Sequence, residues 1–201
     1  DHSLGRWGVS TFIVDRTMPG FSTSPVRQKM GLRTVPAGDL ILEDCFVPDE
    51  NRMGDEGVGV SVFTHSMEWE RAFILISQIG RMERQLDETI AYANDREQGG
   101  SPIAGYQSVS NRIVDMKVRL EAARLMLYKV AWLTANGQPS GMEDAMAKLF
   151  LSEAFTESSL DAIRVRGGRG VVTFFVVVRD LRDSVGGLIY SGTSDIQRNL
   201  I

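Results

Sequence analysis

The sequence predicts an α+β chain, with part of an antiparallel β domain in residues 1–60 and an all-α four-helix bundle in residues 61–201. Three observations predict it. Near residue 60 the chain passes from a Gly-, Pro- and β-branched-rich stretch to long helical periodicity. Val109, Ile113, Met116, Leu120, Ala123, Leu127 and Val130 alternate in steps of four and three, the spacing of a sustained bundle seam. Gly99-Gly100, Asn136-Gly137 and Gly167-Gly168 stand where successive long helices must stop. The chain has 201 residues, 43% hydrophobic and 24% charged, which is ordinary globular composition. A chain of that length buries a core without disulfide or metal staples.

Residues 8–15 read as a strand closed by the turn Met18-Pro19-Gly20, and residues 40–47 as a second strand stopped at Pro48. Gly31-Leu32-Arg33 and Pro36-Ala37-Gly38 between them are turn or loop chemistry. Two or three strands do not make a stable sheet alone, so the rest of the sheet is expected upstream. The first helix is expected over residues 61–97, roughly 55 Å long, with Phe63, Met67, Ile74, Ile79, Met82, Leu86, Ile90 and Ala93 as its apolar stripe. The second covers residues 108–135 and carries the bundle seam. The third starts with Ser140 as N-cap and runs to about residue 165. Shorter helices follow over residues 176–183 and 193–201.

Composition narrows the function. With 22 Lys and Arg against 26 Asp and Glu, the net charge is -4, which argues against a nucleic-acid or anionic-membrane surface. Cys45 is the single cysteine, so there is no internal disulfide framework, and its expected place is packed within a strand. His2 and His65 are far apart, which together with the lone cysteine argues against zinc and haem chemistry, and His65 reads as a surface residue. The longest nearly unbroken apolar run, residues 171–178, is too short to span a membrane. Residue 1 is Asp and the chain stops inside a helical pattern, so a piece of a longer chain is expected, with roughly half of it upstream.

Glu70 is the most informative residue. It stands three after Met67 and four before Ile74, on one helix face with both. A carboxylate on a core-facing stripe must be paired, hydrogen-bonded or functional. Spacing alone leaves a structural ion pair and a partly buried base both open. Glu68, about 200° round the helix, faces solvent, and Arg71 is offset by about 100°. Gly192-Thr193-Ser194-Asp195 opens the last helix, as a capped start or a phosphate site. Gly167-Gly168-Arg169-Gly170 reads as a helix C-cap or a close backbone approach, and no strand precedes it as a dinucleotide fingerprint requires. Arg96 is an anion ligand or a solvated arginine. Ser191 has no histidine near it in sequence, so a hydrolase triad has no support.

Five motifs then occur in a recognisable order. They are the strand-and-turn of residues 12–20; Gly31-Leu32-Arg33 with Val47-Pro48, Asn51-Arg52 and Gly54-Asp55-Glu56-Gly57-Val58-Gly59; Arg96-Glu97-Gln98-Gly99-Gly100 with Gln107; Gly167-Gly168-Arg169-Gly170; and Arg179-Asp180 with residues 189–198. In that order the chain resembles the acyl-CoA dehydrogenases, flavoproteins that oxidise acyl thioesters. The resemblance covers essentially all 201 residues and corresponds to the second half of the β domain plus the C-terminal helical domain. Many members carry a catalytic Glu where this chain has Ser191. A smaller branch, including isovaleryl- and long-chain-type enzymes, places it on the first helix of this domain, directly before an arginine, and Glu70-Arg71 is similar to that arrangement. Arg164 where a flavin-contacting Gln is common, and Gly99 in place of Phe, are departures.

The resemblance implies α,β-dehydrogenation, with Glu70 taking the α-proton and the β-hydrogen leaving as hydride to FAD. It implies a main-chain N–H at Ser191 that stabilises the developing enolate. It assigns Arg96, Gln98, Gln107 and Gly168 to FAD, the first three to a cofactor bound by the partner subunit. Thr193 and Asp195 are assigned to the flavin of their own site, and Arg71, Tyr190 and Gly192 to the substrate pocket. Further implications are no metal, a homo-oligomer of the dimer-of-dimers kind, and an electron acceptor such as an electron-transfer flavoprotein or oxygen. A cytoplasmic or mitochondrial-matrix location follows, as does inactivity of the isolated fragment. Residues 67–71 and 190–198 are also similar to members that oxidise acyl or aminoacyl groups, such as prolyl, on carrier proteins, so acyl-CoA and carrier-bound substrates both stand. A flavin monooxygenase on the same scaffold and a non-catalytic helical assembly module are the alternatives.

Overall fold

The computed structural model describes residues 2–201, the side chains of His2 and Ala72 excepted. Asp1 and the His2 side chain, both weighed above, lie outside the described residues. The chain divides into two compact units. One holds Asp1–Lys29 and Arg33–Trp69, the other Met30–Leu32 and Glu70–Ile201.

The first unit is built from four short strands: β1 (Thr11–Phe12), β2 (Phe21–Thr23), β3 (Leu40–Leu42) and β4 (Arg52–Met53). β1 pairs antiparallel with β4, Thr11 opposite Met53, and β2 with β3, Phe21 opposite Leu42. The strands expected over residues 8–15 and 40–47 are therefore much shorter than their sequence pattern. Each has one partner among the described residues, and isolated strand pairs are marginal. Asp44, at a left-handed φ of 50°, turns the chain after β3. Cys45 consequently sits half-buried in a loop rather than in a strand.

The helix expected over residues 61–97 is two helices, α1 (Gly59–Phe73) and α2 (Ile76–Asp95). Leu75 between them has φ -94° and ψ 2° and is buried with Ala123 and Leu151. Sequence spacing marks this break: steps of three and four give way to five between Ile74 and Ile79, which one straight helix would put on different faces. After α2, β5 (Glu97–Gln98) and β6 (Ser101–Pro102) form a hairpin across Gly99 and Gly100, both at positive φ as a tight primed turn requires.

α3 (Gln107–Ala135) buries Met116, Leu120, Ala123, Leu127 and Val130, the seam its spacing predicts. α4 (Gly141–Arg166) is the central helix and packs against α2, α3, α5 (Val176–Gly187) and α6 (Ser194–Leu200). Its buried positions cover more than half of its circumference, many of them small: Ala145, Ala147, Ser152, Ala154, Ser158 and Ala162. Small side chains let neighbours approach closely, and Met142, Met146, Glu157 and Arg164 leave only a narrow exposed stripe. Ser140 precedes α4, but its hydroxyl donates to Asp144 Oδ2 at 3.1 Å instead of capping an N–H. The main core joins Met82 and Leu86 of α2, Met116 and Leu120 of α3, Phe155 of α4 and Val177 of α5. Among the described residues, no helix is long and apolar enough to cross a membrane.

Candidate active site

Glu70 lies in the last turn of α1, and its carbonyl accepts the Ile74 N–H at 2.9 Å. The side chain is exposed, not core-facing as its stripe suggested, because α1 stops at Phe73 and Leu75 takes the buried position. Among the described residues no arginine or lysine pairs with it, so the structural ion pair is not formed. The Ser191 hydroxyl instead donates to Glu70 Oε1 at 2.5 Å, the short length of a bond from a hydroxyl to a carboxylate.

Ser191 sits in the connection between α5 and α6, at a left-handed φ of 55°. Gly192 follows at φ 90°, and a Cβ there would lie 2.5 Å from Gln197 Nε2. That side-chain amide donates to the Ser191 and Gly192 carbonyls at 3.0 and 3.1 Å. The Ser191 N–H has no acceptor among the described residues. Tyr190, half-buried beside it, accepts a 3.1 Å bond from Gln78 Nε2. Burial pushes the Tyr190 phenol above its ordinary value, with the Gln78 bond opposing. Arg71 turns to a small cavity lined by Leu75, Leu127, Ala147, Lys148 and Leu151, and its Nε is buried without a partner.

A cavity of about 590 Å³ opens at the end of α2. Arg96, Gln98, Tyr92 and Tyr106 line one side, and Arg164, Arg166, Gly167, Gly168 and Arg169 the other. Four guanidiniums on one groove suit an anionic ligand. Arg166 is fixed by bonds of 3.0 Å to Thr89 Oγ1 and the Ala162 carbonyl, and lies 5.5 Å from the Tyr92 ring centre. Burial pushes Arg166 below its ordinary value. Arg164 bonds Asp161 at 3.1 Å. Asp161 also accepts from Arg112 and Arg119, at 2.8 and 2.9 Å. Burial works to raise the Asp161 carboxyl, and the bonds from Arg119, Arg112 and Arg164 outweigh it and hold the group low. Gln107 opens α3 next to Ser108, which lines the groove.

A second cavity, about 520 Å³, is lined by Glu153, Thr156, Glu157, Leu188, Ile189, Thr193, Ser194 and Asp195. Thr193 Oγ1 accepts the Ile196 N–H at 3.2 Å, so this helix start is capped by its own side chain. Ser194 keeps a buried hydroxyl with no partner. Asp195 is exposed and pairs with Arg198 at 3.4 Å.

The structure thus joins Glu70 to Ser191 and Arg96 to Gln98 and Gly168. Sequence reasoning missed Arg166, Arg169, Lys148 and Gln197. Arg164, Arg166 and Arg169 crowded round Gly167-Gly168 were the available signal for the groove. A lysine or glutamine inside a helix carries no such mark.

Comparison with known proteins identifies the family of the chain. The family description "Acyl-CoA dehydrogenase, C-terminal domain" matches residues 57–201. The chain is 47% identical to an L-prolyl-[peptidyl-carrier protein] dehydrogenase of Pseudomonas fluorescens, over 98% of this chain and 52% of that protein. It is 37% identical to a mitochondrial isovaleryl-CoA dehydrogenase of Oryza sativa subsp. japonica, over 100% of this chain and 49% of that one. The solved FAD complex of PigA superposes with a TM-score of 0.95 at 40% identity, over 100% of this chain and 52% of that chain. The chain spans about half the length of the curated relatives it matches. It belongs to the acyl-CoA dehydrogenase family.

Proposed function

We propose that the full-length protein is an FAD-dependent dehydrogenase of an acyl thioester, with Glu70 as its base. The observation that carries this is Glu70 held by the Ser191 hydroxyl on the same turn as a main-chain N–H with no acceptor among the described residues. A thioester carbonyl on the Ser191 N–H would have its developing negative charge stabilised by a fixed donor. Glu70 then accepts the α-proton as general base. Loss of that proton, and of the β-hydrogen with its bonding pair, leaves the Cα=Cβ double bond.

The residues present fit FAD. The arginine groove offers Arg96, Arg164, Arg166 and Arg169 to a pyrophosphate, with Gln98 and Gly168 on its walls and Gln107 beside it. The orphaned Ser194 hydroxyl, with Thr193 and Asp195, marks the second cavity as a polar surface short of a partner. When bound, the flavin supplies the two-electron acceptor for the β-hydrogen. Tyr190, Gly192 and Arg71 remain assigned to the substrate side. Residues 1–60 are read as the C-terminal part of a middle β domain.

The substrate is an aminoacyl group, L-prolyl, on a carrier protein. Identity of 47% to the prolyl dehydrogenase against 37% to the isovaleryl-CoA enzyme supports it. Assembly as a homo-oligomer is supported by a second apolar row on α3, Val114, Val118, Leu125, Tyr128 and Trp132, all exposed and at helical spacing. The test offers the full-length enzyme L-prolyl-carrier protein and a panel of short acyl-CoA thioesters. The prolyl carrier should react faster by about tenfold or more. An acyl-CoA reacting faster overturns the substrate and keeps the reaction, and no oxidation of any thioester overturns both.

A further inference from the structure

Lys148 is the largest fully buried side chain among the described residues, 1% exposed, and the chemistry above does not use it. Its Nζ donates to the Gly187 carbonyl at 2.8 Å and the Gly192 carbonyl at 2.7 Å. Gly187 ends α5, and Gly192 lies just before α6. The two carbonyls therefore bracket residues 188–191, the segment that carries Ser191. Among the described residues no carboxylate bonds Lys148, so it is not half of a buried ion pair. A buried ammonium is costly unless its donors are satisfied, and here the satisfying acceptors all belong to one turn.

Ser191 holds a left-handed conformation that non-glycine residues adopt only when their surroundings impose it. Gln197 grips the same turn from α6 through the Ser191 and Gly192 carbonyls. We infer that Lys148 is a positioning residue: by holding both ends of residues 188–191 it fixes Ser191, and so aims the main-chain N–H at the thioester carbonyl and the hydroxyl at Glu70. This rests on the proposed dehydrogenation. Both hydrogen bonds run to one helix, α4, which packs against α2, α3, α5 and α6. Displacement of a donor by a fraction of an ångström costs a catalyst heavily, so a turn anchored this way serves the reaction as well as the fold.

The test uses the full-length holoenzyme carrying Lys148→Met, which keeps the chain length and removes the donors. Amide hydrogen exchange over residues 186–197 should quicken about tenfold or more, with α2 and α3 protected as before. On L-prolyl-carrier protein, kcat should fall about 10- to 100-fold with KM within about twofold. Binding of the thioether analogue, with CH2 in place of the carbonyl, should not change. Unchanged exchange in residues 186–197, unchanged kcat, or equal loss of thioester and thioether binding overturns the positioning role. If Lys148→Met does not fold, Lys148→Gln keeps an uncharged NH2 donor group and should show smaller changes in the same direction. Failure of the wild type to oxidise the prolyl thioester counts against the proposed function, and the exchange measurement still decides the role of Lys148.

Discussion

The Ser191 hydroxyl meets the Glu70 carboxylate at 2.5 Å, a contact between residues 121 positions apart. It joins the last turn of α1 to the connection before α6. A base that is exposed and free of any cation would otherwise rotate, and this bond limits it to one geometry. Ser191→Ala removes the hydroxyl and leaves the main-chain N–H in place. Turnover by the full-length enzyme should fall about 10- to 150-fold, the kinetic equivalent of one charge-assisted hydrogen bond. Unchanged kcat would show that the hydroxyl does not orient the base.

The arginine groove predicts a separate phenotype. Arg96→Ala removes a guanidinium from the rim of the 590 Å³ cavity. FAD should bind about tenfold or more weaker, and the remaining affinity should fall less steeply with salt than in the wild type. Titration of the apoenzyme with FAD, followed by flavin fluorescence, measures both. Equal affinity in the two proteins would remove Arg96 from the cofactor site.

Asp161 organises three arginines from α3 and α4 and is itself 4% exposed. Asp161→Ala leaves Arg112, Arg119 and Arg164 facing one another and should destabilise the domain by about 2–4 kcal/mol, the arginines' access to solvent keeping it below a fully buried pair. In the wild type, folding holds this carboxyl below its ordinary value of 3.8. Its contribution is therefore complete above pH 3.8 and is lost as pH falls further, through the folded value. Urea melts across acid pH should show a steeper loss in the wild type than in the variant.

Lys148 predicts the opposite limb. Burial pushes its amine from 10.5 down to about 8, with the Glu153 charge opposing and the Arg71 guanidinium lining the same small cavity. Between about pH 8 and 10.5 the unfolded chain binds the proton that the folded chain has released. Its contribution to stability therefore rises with pH across that window. Lys148→Met should flatten that rise. Parallel profiles for the two proteins would mean that Lys148 keeps its ordinary affinity for the proton.

Legibility in the sequence follows physical cause. The seam of α3 was readable because its buried side chains repeat along one face in steps of three and four. α4 was readable as a helix but not as the centre, since buried polar residues such as Lys148, Ser152 and Ser158 blur the contrast with its narrow exposed stripe. The α1–α2 break survived only as a five-residue step between Ile74 and Ile79. Strand lengths were over-read, because β-branched pattern records the potential to pair and not the partner. Glu70 and Ser191 were each singled out along the chain, by resemblance and spacing. Their contact was invisible because it forms between two distant segments. Lys148 left no trace at all: a helical lysine looks solvated until the carbonyls that accept its donors are seen.

The most direct measurement is turnover of Glu70→Gln in the full-length enzyme, with flavin content read from its visible absorbance. Glu70 as the base predicts normal flavin content and a loss of about 10²- to 10⁴-fold in kcat, the range of general-base catalysis. Turnover within about tenfold of the wild type, with flavin fully bound, would contradict it.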